Sequence, residues 1–174
     1  MIKLVILDID GVMTDGRKYY NAEGMPFIKT YCDKDFTAIK RLRGAGVSVC
    51  FLSGDDFINK AMAKNRNIDF YSARGKDKAD FLDEFEATYG ATRAEMAYIG
   101  DDLFDYSVMA AVGHAYCPSD ACPDILTLCG TENTLGVAGG CNAVMHMVAR
   151  LIEANLVPDA TMEQIEELDK KEKF

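Results

Sequence analysis

Histidine is nearly absent: His114 and His146 are the only two in 174 residues, and neither stands in a motif, so histidine-based hydrolysis has little to build on. The six cysteines (Cys32, Cys50, Cys117, Cys122, Cys129, Cys141) form no C-x-x-C pair and have no histidine at ligand spacing, which favours buried thiols over a zinc site. Positive charge is scarce too. The formal net charge is -9, and the one basic run is Lys170, Lys171 and Lys173, which argues against nucleic acid as a partner. No segment has the apolar length to cross a bilayer, and the opening MIKLVILDIDG lacks the long apolar core and cleavage site of a signal peptide. These absences predict a cytoplasmic protein with no membrane partner. A hydrophobic fraction of 49% and a charged fraction of 27% are ordinary for a globular chain, and the length suits one domain.

Short β-rich runs alternate with helical ones. Strands are predicted at 4–7, 47–52, 69–71, 96–99 and 114–116, and helices near 35–43, 56–65, 76–88, 104–111 and 142–154. The first two strand runs are apolar almost throughout, as strands buried on both faces must be. The fold class is therefore α/β, a Rossmann-like, mostly parallel sheet flanked by helices. One segment departs from the alternation: 17–20 and 26–31 flank Asn21, Ala22, Glu23 and Gly24, which reads as a β-hairpin flap over the carboxyl edge of the sheet. The domain is expected over 1–157, followed by a charged C-terminal tail, 158–174, with a weak helical period.

Chemistry concentrates at the strand ends. Asp8 and Asp10 follow the first buried strand in DIDGVMTDG, and alternation along an extended backbone would aim both carboxylates into one crevice. Such crowding needs a compensating cation, and oxygen-only ligands suit Mg²⁺. An isolated D-x-D reads equally well as capping aspartates in a turn. Ser53 and Gly54 follow the second buried strand, where a hydroxyl and backbone N–H groups can hold phosphate. Lys78, in GKDKA, opens a helix, an unfavourable place for a cation unless it answers a negative charge elsewhere. Gly100, Asp101, Asp102 and Asp105 form a second acidic cluster, and helix capping accounts for one of its acids but hardly three.

In this order, D-x-D-G-x-x-T-D-G, S-G, a lysine and G-D-D-x-x-D resemble the four motifs of the haloacid dehalogenase superfamily. The resemblance implies Asp8 as nucleophile, Asp10 as general acid and base, Ser53, Gly54 and Lys78 as phosphate ligands, and Asp8, Asp10 and Asp101 around Mg²⁺. Asp102 and Asp105 are secondary candidates. The spacings leave no room for a cap domain, which argues against a mutase that must shield its phosphoenzyme from water. The hairpin, G-K-D-K and Y-I-G-D-D-L resemble the capless phosphatases acting on 3-deoxy-D-manno-octulosonate 8-phosphate and on nine-carbon 2-keto sugar acid 9-phosphates. Asp35 matches the acid after that family's hairpin, and Gly139 and Gly140 its C-terminal glycine pair.

Two departures stand out: Asn142, Met145 and His146 occupy that family's glycine, arginine and glutamate places, and Ala63 replaces an arginine, with Lys60, Lys64 or Arg66 as substitutes. The implied activity is hydrolysis of a small phosphorylated substrate, a sugar phosphate. The alternatives are another phosphometabolite or a catalytically weak binding homologue. Tyr19, Tyr20, Phe27, Ile28 and Tyr31 give the hairpin more apolar surface than a solvated flap should expose. That surface suggests packing against a neighbouring subunit, and the resemblance implies a homotetramer whose neighbouring chains wall the site.

Overall fold

A computed structural model describes residues 1–171. Five parallel strands form the central sheet: β1 (Leu4–Leu7), β4 (Ser48–Ser53), β5 (Asp69–Ser72), β6 (Met96–Ile99) and β7 (His114–Tyr116). Their order is β5-β4-β1-β6-β7, so the winding reverses between β1 and β6. A crevice opens at such a reversal, beyond the carboxyl ends of the strands. Leu7 pairs with Ile99 there, and Asp8 and Asp101 follow their strands to the same edge.

β1 is buried on both faces, and its alternation divides the core in two. Val5, Leu7 and Ile9 pack with α1 (Asp33–Gly44), α2 (Ile58–Asn65) and α6 (Ala143–Glu153). Leu4 and Ile6 face the opposite side, with Tyr98, Phe81, Phe85 and Met109, covered by α3 (Leu82–Tyr89), α4 (Tyr106–Ala111) and α5 (Pro123–Asn133). The hairpin consists of β2 (Tyr19–Tyr20) and β3 (Pro26–Ile28), with Asn21 accepting from the Glu23 and Met25 amides in the turn. No helix among the described residues is long and apolar enough to cross a membrane. The six cysteines are unpaired, with Cys50, Cys117 and Cys129 buried.

Several predicted helices are trimmed by side-chain capping. The predicted helix at 56–65 begins only at Ile58, because the Asp55 carboxylate accepts from the Phe57 amide and holds a turn. The predicted 76–88 helix divides into a 3-10 turn, Lys78–Phe81, and α3, with Asp77 accepting from the Ala79 amide at 2.9 Å. The predicted 104–111 helix likewise opens with a 3-10 turn, Leu103–Asp105. The helix α5 is not among the predicted ones; it starts on a proline, a helix-start signal, and breaks helical geometry at Gly130.

Over its described residues the expected charged tail carries α7 (Met162–Asp169). Thr161 and Gln164 form a capping box at its start. Ion pairs tie it to α1: Arg41 to Asp159 through two 2.6 Å contacts, and Lys40 to Asp169 at 2.5 Å. Those anchors offset its weak apolar stripe.

The glycine pair packs on the loop after β1. A Cβ at Gly139 would lie 1.9 Å from the Gly11 carbonyl oxygen, and the Gly140 amide donates to the Val12 carbonyl at 2.9 Å. Gly139→Ala should therefore cost about 1–3 kcal/mol of stability through overpacking against backbone. Urea unfolding measures this; an unchanged midpoint would show that the loop can move aside.

Candidate active site

The strand ends open into a cavity of about 1040 Å³. Asp8, Asp10, Ser53, Gly54, Lys78, Asp101, Asp102 and Asp105 all line it. They fall into two charged networks, one centred on Lys78 and one on Asp10.

The first network is buried. Lys78 Nζ lies 2.9 Å from Asp8 and 2.6 Å from Asp105, and it donates to the Tyr98 hydroxyl at 3.2 Å. Burial opposes a charge on Lys78, but Asp8 and Asp105 outweigh burial and push its pKa up. Asp105 Oδ1 also accepts from the Tyr98 hydroxyl, and its Oδ2 accepts from the Asp101 and Asp102 amides. Asp105 is thus fully engaged in supporting Lys78 and the turn after β6. Asp102 is exposed and caps that turn, accepting from the Leu103 amide at 2.7 Å.

Asp8, Asp101 and Asp105 place carboxylate oxygens within 4.8 Å of one another. Burial, opposed by Lys78 and aided by Asp105, lifts Asp8 to about 7. Burial and the charges of Asp8, Asp105 and Asp102 lift Asp101 to about 8. Asp101 Oδ1 is buried with no hydrogen-bond partner among the described residues. A Cβ at Gly11 would lie 2.0 Å from Asp101 Oδ2, so glycine is what admits this carboxylate. Oxygen donors, an orphaned buried oxygen and unbalanced negative charge fit a hard divalent cation. With Asp105 saturated, Asp8 and Asp101 are the side chains left to hold it.

Asp10 does not join that cluster. The amides of Val12, Met13 and Thr14 all converge on the Ile9 carbonyl, so the chain turns just after Ile9 and the strand alternation ends. The Asp10 carboxylate instead lies 2.7 Å from Lys29 and 3.2 Å from Lys18, both on the hairpin segment. Asp55 shares both lysines, and Asn59 donates to Asp10 at 3.3 Å and to Ser53 Oγ at 3.0 Å. Burial raises the pKa of Asp55, but its hydrogen bond to Lys29 is among the contacts that turn the net shift downward.

Lys18, Lys29, Asp55 and Asn59 were not singled out in the sequence. Asn59 was the most legible, since Asn59 and Ala63 recur four residues apart and share the buried side of α2. Lys29 gives no local signal, as it follows the exposed Phe27 and Ile28. Asp35 lies outside the cavity, buried beneath α6, where it accepts from the Met145 amide at 3.0 Å and caps that helix. Ala63 is buried, and Lys60, Lys64 and Arg66 do not line the cavity; Arg66 lies over the Phe36 ring at 4.0 Å.

A doubly wound sheet with a buried aspartate, lysine and acidic cluster at its switch point carries the four motifs that resemble those of the haloacid dehalogenase superfamily. A curated 3-deoxy-D-manno-octulosonate 8-phosphate phosphatase from Haemophilus influenzae is 32% identical over 154 residues, covering 88% of this chain and 84% of that protein. The Yersinia pestis enzyme of the same name is 33% identical over 147 residues, covering 84% of this chain and 77% of that protein. The cobalt-bound Haemophilus influenzae enzyme superposes with a TM-score of 0.80 at 33% identity, with 88% of each chain covered. The Moraxella catarrhalis enzyme, solved with a magnesium ion, a phosphate ion and a KDO molecule, gives 0.79 at 25% identity, covering 88% of this chain and 87% of that one. No family model matches. The chain belongs to the haloacid dehalogenase superfamily and, within it, to the family of the 3-deoxy-D-manno-octulosonate 8-phosphate phosphatases.

Crowded carboxylates destabilise the metal-free chain, and a cation that binds only the folded state reverses this. Saturating Mg²⁺ should raise the melting temperature of the wild type. Asp101→Asn should melt higher than wild type without metal and respond little to it. An equal Mg²⁺ shift in both proteins, read by calorimetry, would place the cation elsewhere.

Proposed function

We propose that the chain is a Mg²⁺-dependent phosphomonoesterase acting on a sugar phosphate through an aspartyl-phosphate on Asp8. The observation that carries this reading is the buried Asp8 carboxylate, 2.9 Å from the buried Lys78 ammonium at the sheet's switch point. Asp8 attacks phosphorus in line, and the bond to the leaving oxygen breaks as Asp10 gives that oxygen a proton. Water then attacks the phosphoenzyme while Asp10 takes a proton back. Ser53 Oγ, the Gly54 amide and Lys78 hold the equatorial oxygens, and Asp105 keeps Lys78 in place. Asp8 and Asp101 would hold Mg²⁺, whose positive charge would let two anions approach.

Family membership supports an eight- or nine-carbon 2-keto-3-deoxy sugar acid phosphate as substrate. Ala63 in place of the expected arginine, and Asp55 and Asp56 in the cavity wall, favour testing other sugar phosphates beside it. Asp8→Asn should lower kcat at least about 10⁴-fold while the melting temperature holds, and excess EDTA should silence the wild type reversibly. A screen of sugar phosphates with Mg²⁺ checks the class; hydrolysis that survives Asp8→Asn would refute the covalent route.

We place the enzyme in the cytoplasm as a homotetramer with the hairpin at its interface. The hairpin folds over its own crevice, lining it with Lys18, Tyr20, Met25 and Pro26, while Tyr19, Tyr20, Phe27 and Ile28 still expose much of their surface. Tyr31 turns inward instead, donating to Asn59 at 2.9 Å. An exposed apolar group of this kind calls for a partner. Light scattering should report a tetramer, and Phe27→Glu should split it and reduce turnover; a fully active wild-type monomer would refute the shared site.

A further inference from the structure

Lys29 is an unusual residue for a flap. Its side chain is 0% exposed although it lies on a segment whose neighbours Phe27 and Ile28 face solvent. Its Nζ lies 2.7 and 3.0 Å from the two oxygens of Asp10, 2.5 Å from Asp55 and 2.9 Å from Asn59 Oδ1. Three donors thus meet four acceptor atoms, and the ammonium is satisfied without water. Burying a lysine this completely is costly unless its partners are fixed, so the contacts hold Asp10, Asp55 and the hairpin in one arrangement. Asp55 supplies a second carboxylate and Lys18 a second ammonium, which leaves the group near neutral rather than aiming a lone cation at Asp10. Asn59 extends the arrangement to Ser53, at the phosphate end of the crevice.

Resting on the phosphatase reading above, we infer that Lys29 is the positioning residue for Asp10, and that through it the seating of the hairpin is coupled to proton delivery. Among the described residues Lys29 is the buried cation on Asp10, since Lys18 is partly exposed. When the phosphorus–oxygen bond to the leaving group breaks and the bond to Asp8 forms, the leaving oxygen takes its proton from an Asp10 carboxyl whose orientation Lys29 and Asn59 set. A hairpin that lifts away takes Lys29 with it, and Asp10 loses its bearing. The Lys29 ammonium contacts Asp10, Asp55 and Asn59 rather than the Asp8 carboxylate.

Leaving-group dependence tests this directly, because a nitrophenolate departs without a proton and a phenolate needs one far more. Wild type, Lys29→Met and Lys29→Arg are compared with Mg²⁺ on 4-nitrophenyl phosphate and phenyl phosphate, using kcat/KM to isolate the first chemical step. Lys29→Met should lose at least about tenfold more on phenyl phosphate than on the nitrophenyl ester, and Lys29→Arg should recover part of that difference. In an Asp10→Asn background, Lys29→Met should add little further loss, since the two act as a unit. Equal losses on both esters, or additive losses with Asp10→Asn, would reduce Lys29 to a structural role and overturn the inference. Thermal melts establish that each variant folds, and Lys29→Gln replaces Lys29→Met in the same comparison if the latter does not. A wild type that hydrolyses neither these esters nor any sugar phosphate of the screen refutes the phosphatase reading itself, an outcome distinct from any change among the variants.

Discussion

A carboxylate that leaves water and still carries charge needs a cation beside it, and the buried ammonium of Lys78 meets that need at Asp8, the proposed nucleophile. Removing a charge from water costs several kcal/mol even after relaxation, so the Asp8 carboxylate is not stable there without an ammonium beside it, whereas Lys78 keeps Asp105 as a second partner. The sheet solves the geometry: β1 delivers Asp8 and β6 delivers the turn bearing Asp101 and Asp105, side by side where the winding reverses. Asp105 and Tyr98 then complete the coordination of Lys78. The remaining imbalance, with Asp8 at about 7 and Asp101 at about 8, is the electrostatic opening that a divalent cation fills.

Two lysines therefore divide the crevice. Lys78 lies on the sheet side and belongs to the rigid core, packed with Tyr98 and Asp105. Lys29 arrives on the hairpin and engages Asp10 from the opposite side. The proposed nucleophile is thus set by the fold and the proposed acid by the flap, so the proposed proton transfer depends on how the hairpin is seated. A capless phosphatase has no separate domain to close over its substrate, and a flap whose seating positions the acid provides part of what such a domain would supply.

Much of this was readable in advance. The five strands follow from short β-rich runs, of which β1, β4 and β6 are buried almost throughout, and β1 and β6 are followed by aspartates whose crowding identifies the site. What escaped the sequence depends on tertiary contacts. Strand alternation aims Asp8 and Asp10 into one crevice and both line it, but three amides converging on the Ile9 carbonyl turn the chain, and Asp10 meets Lys29 and Lys18 of the hairpin rather than the Asp8 cluster. Lys29 belongs to a segment whose period gives no reason to bury it; only the carboxylates of Asp10 and Asp55 do. Asp35 read as a site residue from its position after the hairpin, whereas the structure sets it under α6 as a cap. The segment after Val157 has a weak apolar stripe, and its helix is held by ion pairs to α1 that sequence periodicity does not register.

The central claim is that phosphate passes through Asp8. Quenching the reaction in acid within milliseconds of mixing with substrate and Mg²⁺, then digesting the chain and weighing its peptides, observes that intermediate. The account predicts one added phosphoryl group on the peptide bearing Asp8, absent when the reaction is run without Mg²⁺. A phosphoryl group on any other residue, or turnover at full rate with no phosphopeptide formed, would contradict it.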